Sequence, residues 1–138
     1  MSYQSIKTYF KRRLASFNFQ EAKKKIDFTN EAENFDNQFI IENPKTELAE
    51  GDTLATKFFP HRTIIIKTAH KTSESSLLFD YDSVQTRLEN VLRDLHSVSN
   101  YRSDSIRMVM FSTLSVEVKA GYIFSEMTFI VEDTLEYV

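Results

Sequence analysis

The sequence predicts an α+β protein: a mixed or antiparallel β-sheet with two helices packed on one face and a long C-terminal β-hairpin. Three observations carry that expectation. Leu114, Val116 and Val118 alternate with Ser115, Glu117 and Lys119; after Ala120-Gly121, Met127, Phe129 and Val131 alternate with Thr128, Ile130 and Glu132. A period of two marks strands with one buried face, and a glycine between two such runs supplies the positive φ of a tight reversal. Val84, Leu88, Val91, Leu92 and Leu95 make one apolar stripe at helical spacing, and Ile6, Phe10, Leu14 and Phe17 make another.

Taken in order, the first helix is capped by Ser2 or Ser5 and stops at Asn18, because asparagine tolerates the left-handed C-terminal position. Lys7, Lys11, Arg12 and Arg13 occupy much of its remaining surface, Lys23-Lys24-Lys25 follows, and Asn30 to Asn37 reads as a polar loop. Gln38 to Glu42 is a short strand halted by Asn43-Pro44. Residues 45–53 read as an exposed loop or a short helical turn. Thr63 to His70 forms the next strand, with Ile64, Ile66 and Thr68 on one face and Ile65, Lys67 and Ala69 on the other. Phe58-Phe59-Pro60 is its bulged start or an aromatic plug beneath it. Residues 71–76 (KTSESS) are polar enough for a mobile loop tip. Asp82 and Gln85 spell a D-x-x-Q capping box for the second helix, which ends by Ser99-Asn100. Ile106 to Lys119 opens the hairpin. The chain reads as one domain, 1–138, with no repeat or linker.

Composition narrows the function classes. The 138 residues include twelve Phe and six Tyr but no Cys or Trp, and net charge is −3. Without cysteine there is no thiolate chemistry, disulfide framework or Cys-based zinc site. The acidic balance argues against a generic nucleic-acid binder. No apolar run is long enough to cross a bilayer and the N-terminus lacks a signal-peptide core, so a soluble protein made in the cytoplasm is expected.

Catalytic patterns are missing. His61, His70 and His96 fall on different elements without ligand spacing. Gly51 and Gly121 are too far apart for a phosphate-cradling loop. Asp80 with Asp82 reads as helix capping, and Glu132, Asp133 and Glu136 as a solvated strand end. We therefore expect no enzyme, cofactor or metal.

Two features point to partners instead. Lys7, Lys11, Arg12 and Arg13 form a candidate basic contact face for a phosphate backbone or an acidic protein, or simply a solvated helix face. Tyr3 and Tyr9 lie near enough to stack bases. Phe58, Phe59, Phe79, Phe111 and Phe124 fall at strand ends or loop junctions, where they are either core or a patch that a partner covers.

Residues 79–138 resemble the tail terminator (tail completion) proteins of long-tailed, lambda-type bacteriophages. The resemblance runs through Asp82-Ser83 and the helix to Leu95, the strand Ile106 to Lys119, Ala120-Gly121, then Ser125 to Val131 and Glu136-Tyr137. The family's last strand has the form S-x-x-L-T-Y-x-V-x-Y-E. The polar insertion around Lys71 to Ser76 departs from its pattern. The resemblance implies a structural virion protein: a homo-hexameric ring on the head-proximal end of the tail tube, which stops polymerisation and offers the surface that joins the head. Its implied partners are other copies of the chain, the tail tube protein and a head–tail connector, with nucleic acid only passing through. Phe58, Phe59, Lys71, Glu74, Glu117, Lys119 and Phe124 are the candidate assembly interface, and the loops 45–53 and 71–76 are candidates for reaching neighbouring rings. The alternatives are another neck component or, from a different class, a small nucleic-acid-binding accessory protein.

Overall fold

A computed structural model describes residues 3–22, 36–48, 57–58, 60–119, 121–132 and 135–136, the side chains of 3, 43–48, 57–58, 60 and 135–136 excepted. Among the described residues three helices, α1 (Tyr3–Ala15), α2 (Leu77–Leu95) and α3 (Val98–Ser103), accompany seven strands: β1 (Gln20–Glu21), β2 (Gln38–Leu48), β3 (Lys57–Phe58), β4 (Pro60–Lys71), β5 (Met108–Lys119), β6 (Tyr122–Glu132) and β7 (Leu135–Glu136). Five strands form one sheet in the order β1-β2-β4-β6-β5, and β3 with β7 forms a two-stranded piece. The large sheet is antiparallel except for β1, which runs parallel to β2. The expected α+β class and the C-terminal hairpin are both present.

Chain order and sheet order differ in an instructive way. β4 leaves the sheet through α2 and α3, returns as edge strand β5, and the hairpin then lays β6 between the two. The last long strand is therefore an interior strand, paired on both sides. Ile123, Met127, Phe129 and Val131 on its inner face are fully buried, as are Ile64 and Ile66 beside them on β4. Ile6, Tyr9, Phe10 and Leu14 of α1 and Leu88, Val91 and Leu95 of α2 close over that face in one continuous core. Each such side chain contributes about 1.5–3 kcal/mol by leaving water, so the three sequence stripes are the three walls of one core.

Local chemistry accounts for the breaks. Asn18 ends α1 with φ 66°, in the left-handed region as expected. Gly121 takes φ 78° at the hairpin reversal. Where the sequence suggested that Asn43-Pro44 halts β2, the strand continues to Leu48; the register shifts between Glu42 and Lys45, so a bulge absorbs the proline that cannot donate to a ladder. Residues 45–48, expected as loop, thus pair with β4, and 49–53 lie outside the described residues. The second helix starts at Leu77, not at Asp82, and ends at Leu95; the separate α3 buries Tyr101. No helix among the described residues is long and apolar enough to cross a membrane.

Candidate assembly surface

One end of the molecule gathers the hairpin tip, the loop 72–76 and the first turn of α2. The Thr72 N–H donates to Gly121 O at 2.9 Å, tying loop to tip. Thr72 Oγ1 and Ser76 Oγ donate to Asp80 Oδ2 at 2.8 and 2.7 Å, tying loop to helix. The Ser76 and Thr72 hydroxyls hold the Asp80 carboxyl below its ordinary range, because they stabilise its charged form. The Lys71 N–H donates to Asp36 Oδ1 at 2.8 Å. The loop expected to be mobile is therefore laced to three neighbours. Asp80, in the first turn, is also placed to complement the helix dipole, whereas Asp82, expected as the start of a capping box, lies inside the helix.

On this braced end stand two unsheltered apolar side chains, Leu78 at 85% exposure and Phe79 at 77%. Two adjacent large apolar side chains left in water make this end a candidate site of association. Phe79 borders a groove of about 550 Å³ along the outer face of α2, lined also by Asp82, Ser83, Thr86, Arg87 and Asn90. Arg87 is fixed from beneath: its Nη1 donates to Asn37 Oδ1 at 2.8 Å, its Nε to Phe17 O at 3.2 Å, and its guanidinium lies 4.0 Å from the Phe19 ring centre.

The expected interface residues divide. Lys71 and Glu74 are exposed at this end, and Glu117 and Lys119 are exposed on β5 near the tip. Phe124 is a correction: it is 3% exposed, packed with Ala69 in a small second cluster and against Tyr122, ring centres 5.7 Å apart. It sits on the sheet face away from the helices, where Ala69 opposite leaves room for its ring. The Phe59 residue and the Phe58 side chain lie outside the described residues. Leu78 was missed, since it precedes the expected start of the helix at Asp82; Phe79 was marked only as one of five phenylalanines that were either core or patch.

The residues of the basic face are paired within the chain. Arg13 bonds Asp94 through two nitrogens, Nε to Oδ2 at 2.7 Å. Arg12 Nη2 meets Asp104 at 2.6 Å and Lys11 Nζ meets Glu21 at 3.0 Å, while Lys7 is half-buried. These cations fasten α1 to α2, to the end of α3 and to β1. Tyr9, considered for base stacking, is fully buried with its hydroxyl donating to Leu95 O at 3.1 Å, and burial pushes its pKa up.

The histidines hold separate structural posts. His61 faces Glu132 at 3.3 Å, His96 Nε2 accepts the Phe111 N–H at 2.7 Å, and His70 packs against Thr68 at 2.9 Å. Among the described residues no three His, Cys, Asp or Glu side chains gather into a group that could hold a metal. No model of a known protein family matches the chain, and no curated protein matches it in sequence.

Proposed function

We propose that this chain is a structural assembly protein that works as a phage tail terminator, a ring that closes the head-proximal end of the tail tube and carries the surface that joins the head. The observation that carries the reading is the pair Leu78 and Phe79, held out into solvent on an end braced by Thr72, Ser76 and Asp80. An exposed apolar patch on a preorganised support suits repeated protein–protein docking, because little order has to be gained on binding. The α+β frame with helices on one sheet face and a long terminal hairpin supports the same reading, since the family resemblance implies that arrangement. Ion pairing of Lys11, Arg12 and Arg13 within the chain weighs against the nucleic-acid alternative.

Native mass spectrometry and negative-stain microscopy of the chain mixed with purified tail tubes test the proposal. The expected result is a ring at one end of each tube, lost in Phe79→Ser. Tubes that keep two bare ends and continue to grow in the presence of the folded chain would count against it.

A further inference from the structure

The sheet has two open borders among the described residues. β5 pairs with β6 on one side only. On its outer side the Phe111 N–H is taken by His96, at the bulge between Phe111 and Thr113. Beyond that bulge, Thr113, Ser115, Glu117, Val118 and Lys119 are exposed, and Leu114 and Val116 are only half-buried. At the opposite border β1 pairs with β2 at Gln38 and Phe39, leaving Ile40–Leu48 open along its outer edge among the described residues. A bare strand edge presents alternating N–H and C=O groups that only another extended chain can satisfy in register.

We propose that the outer edge of β5, from Thr113 to Lys119, is a strand-pairing site for a second copy of this chain, which it takes through that copy's β2 edge. Direction supports this occupant. β2, β4, β6 and β5 alternate in sense, so β5 runs opposite to β2. A neighbour added in the same orientation therefore brings β2 antiparallel to β5, with the helices of both copies on the same side of one continuous sheet. Side chains support it as well. Leu114, Val116 and Val118 lie on the helix-side face of β5, and Val118 is 43% exposed. On the open stretch of the neighbour's β2, Ile41 belongs to the same face, so apolar side chains meet across the seam, while Ser115 and Glu117 share the other face with Glu42. Such a contact is heterologous, and it yields a ring when the rotation from copy to copy closes and an open filament when it does not.

This inference rests on the ring reading, and its test separates the two. Because the chain has no cysteine, Ser115→Cys and Glu42→Cys can be made singly, mixed, and joined with a short bismaleimide. Mixed Ser115→Cys with Glu42→Cys products are expected to dominate, with β5 amides gaining at least tenfold protection from hydrogen exchange on assembly. Val118→Lys is expected to weaken association at least tenfold while the melting temperature stays the same. Self-linked Ser115→Cys as the main product, unprotected β5 amides in an assembled chain, or a chain monomeric at every soluble concentration overturns the inference. A ring built on another surface sinks edge pairing alone. Edge-paired copies that leave tail length unregulated sink the terminator reading alone.

Discussion

Arg13 on α1 and Asp94 on α2 meet fork to fork, two guanidinium nitrogens against two carboxylate oxygens, with neither side chain fully exposed. That hydrogen-bonded carboxylate raises the Arg13 pKa further above its already high value. A bidentate, partly buried pair of this kind is worth more than a surface contact. We expect Arg13→Ala to cost about 1–3 kcal/mol in urea denaturation. The triple neutralisation of Lys11, Arg12 and Arg13 should lower stability without creating or abolishing salt-sensitive DNA binding. A DNA affinity present in the wild type and lost in the triple variant would contradict this.

Burial governs His70. It is 3% exposed on the inner face of β4, and its pKa is lowered to about 4, first by desolvation and next by the Arg87 charge, with Asp36 opposing. Below the ordinary histidine pKa of about 6.5 the unfolded chain binds a proton that the folded chain refuses. Stability should therefore fall as pH drops from about 6.5 toward 4, by up to roughly 3 kcal/mol, and this contribution is flat above the window. Denaturation of His70→Gln across that range should lack this part of the slope; an unchanged slope would show that other groups carry it.

Substitutions at Leu78 and Phe79 are expected to separate folding from the proposed association. Their side chains contribute little to the core, so Leu78→Ser and Phe79→Ser should shift stability by no more than about 0.5 kcal/mol. Both should nevertheless abolish docking to tubes. Thermal melts paired with sedimentation on purified tubes provide the check.

Gly121 is needed for its backbone, not for space. A Cβ there would approach Thr72 O only to 3.8 Å, an ordinary contact, but φ 78° strains any L side chain. Gly121→Val should cost about 1–3 kcal/mol, and Gly121→Asn clearly less. Equal losses for both, measured by denaturation, would point to crowding rather than strain. Charge reversal at exposed Glu117 or Lys119 should spare stability and weaken assembly.

Periodicity made the fold readable where one face is dry. The stripes Ile6-Phe10-Leu14 and Val84-Leu88-Val91-Leu95 and the alternation of β6 are all buried as expected, because water exclusion is what imposes the period. Irregular backbone was harder. The bulge that carries β2 past Pro44 is matched to β4, distant in sequence, and α2 starts early at Leu77 after a loop that Thr72 ties to Asp80 and to the hairpin tip at Gly121. The site shows the same division. Exposed Glu117 and Lys119 follow from strand parity, whereas Lys11, Arg12 and Arg13 looked available only because Glu21, Asp104 and Asp94 are remote along the chain. Phe124 looked exposed for a similar reason, since its cover comes from Ala69 on another strand.

Tail length in the absence of this chain tests the central claim most directly. Electron microscopy of tails assembled from a phage genome lacking its gene should show tubes of variable and excessive length that fail to join heads, restored by the wild-type chain and not by Phe79→Ser. Tails of normal, uniform length without it would contradict the account.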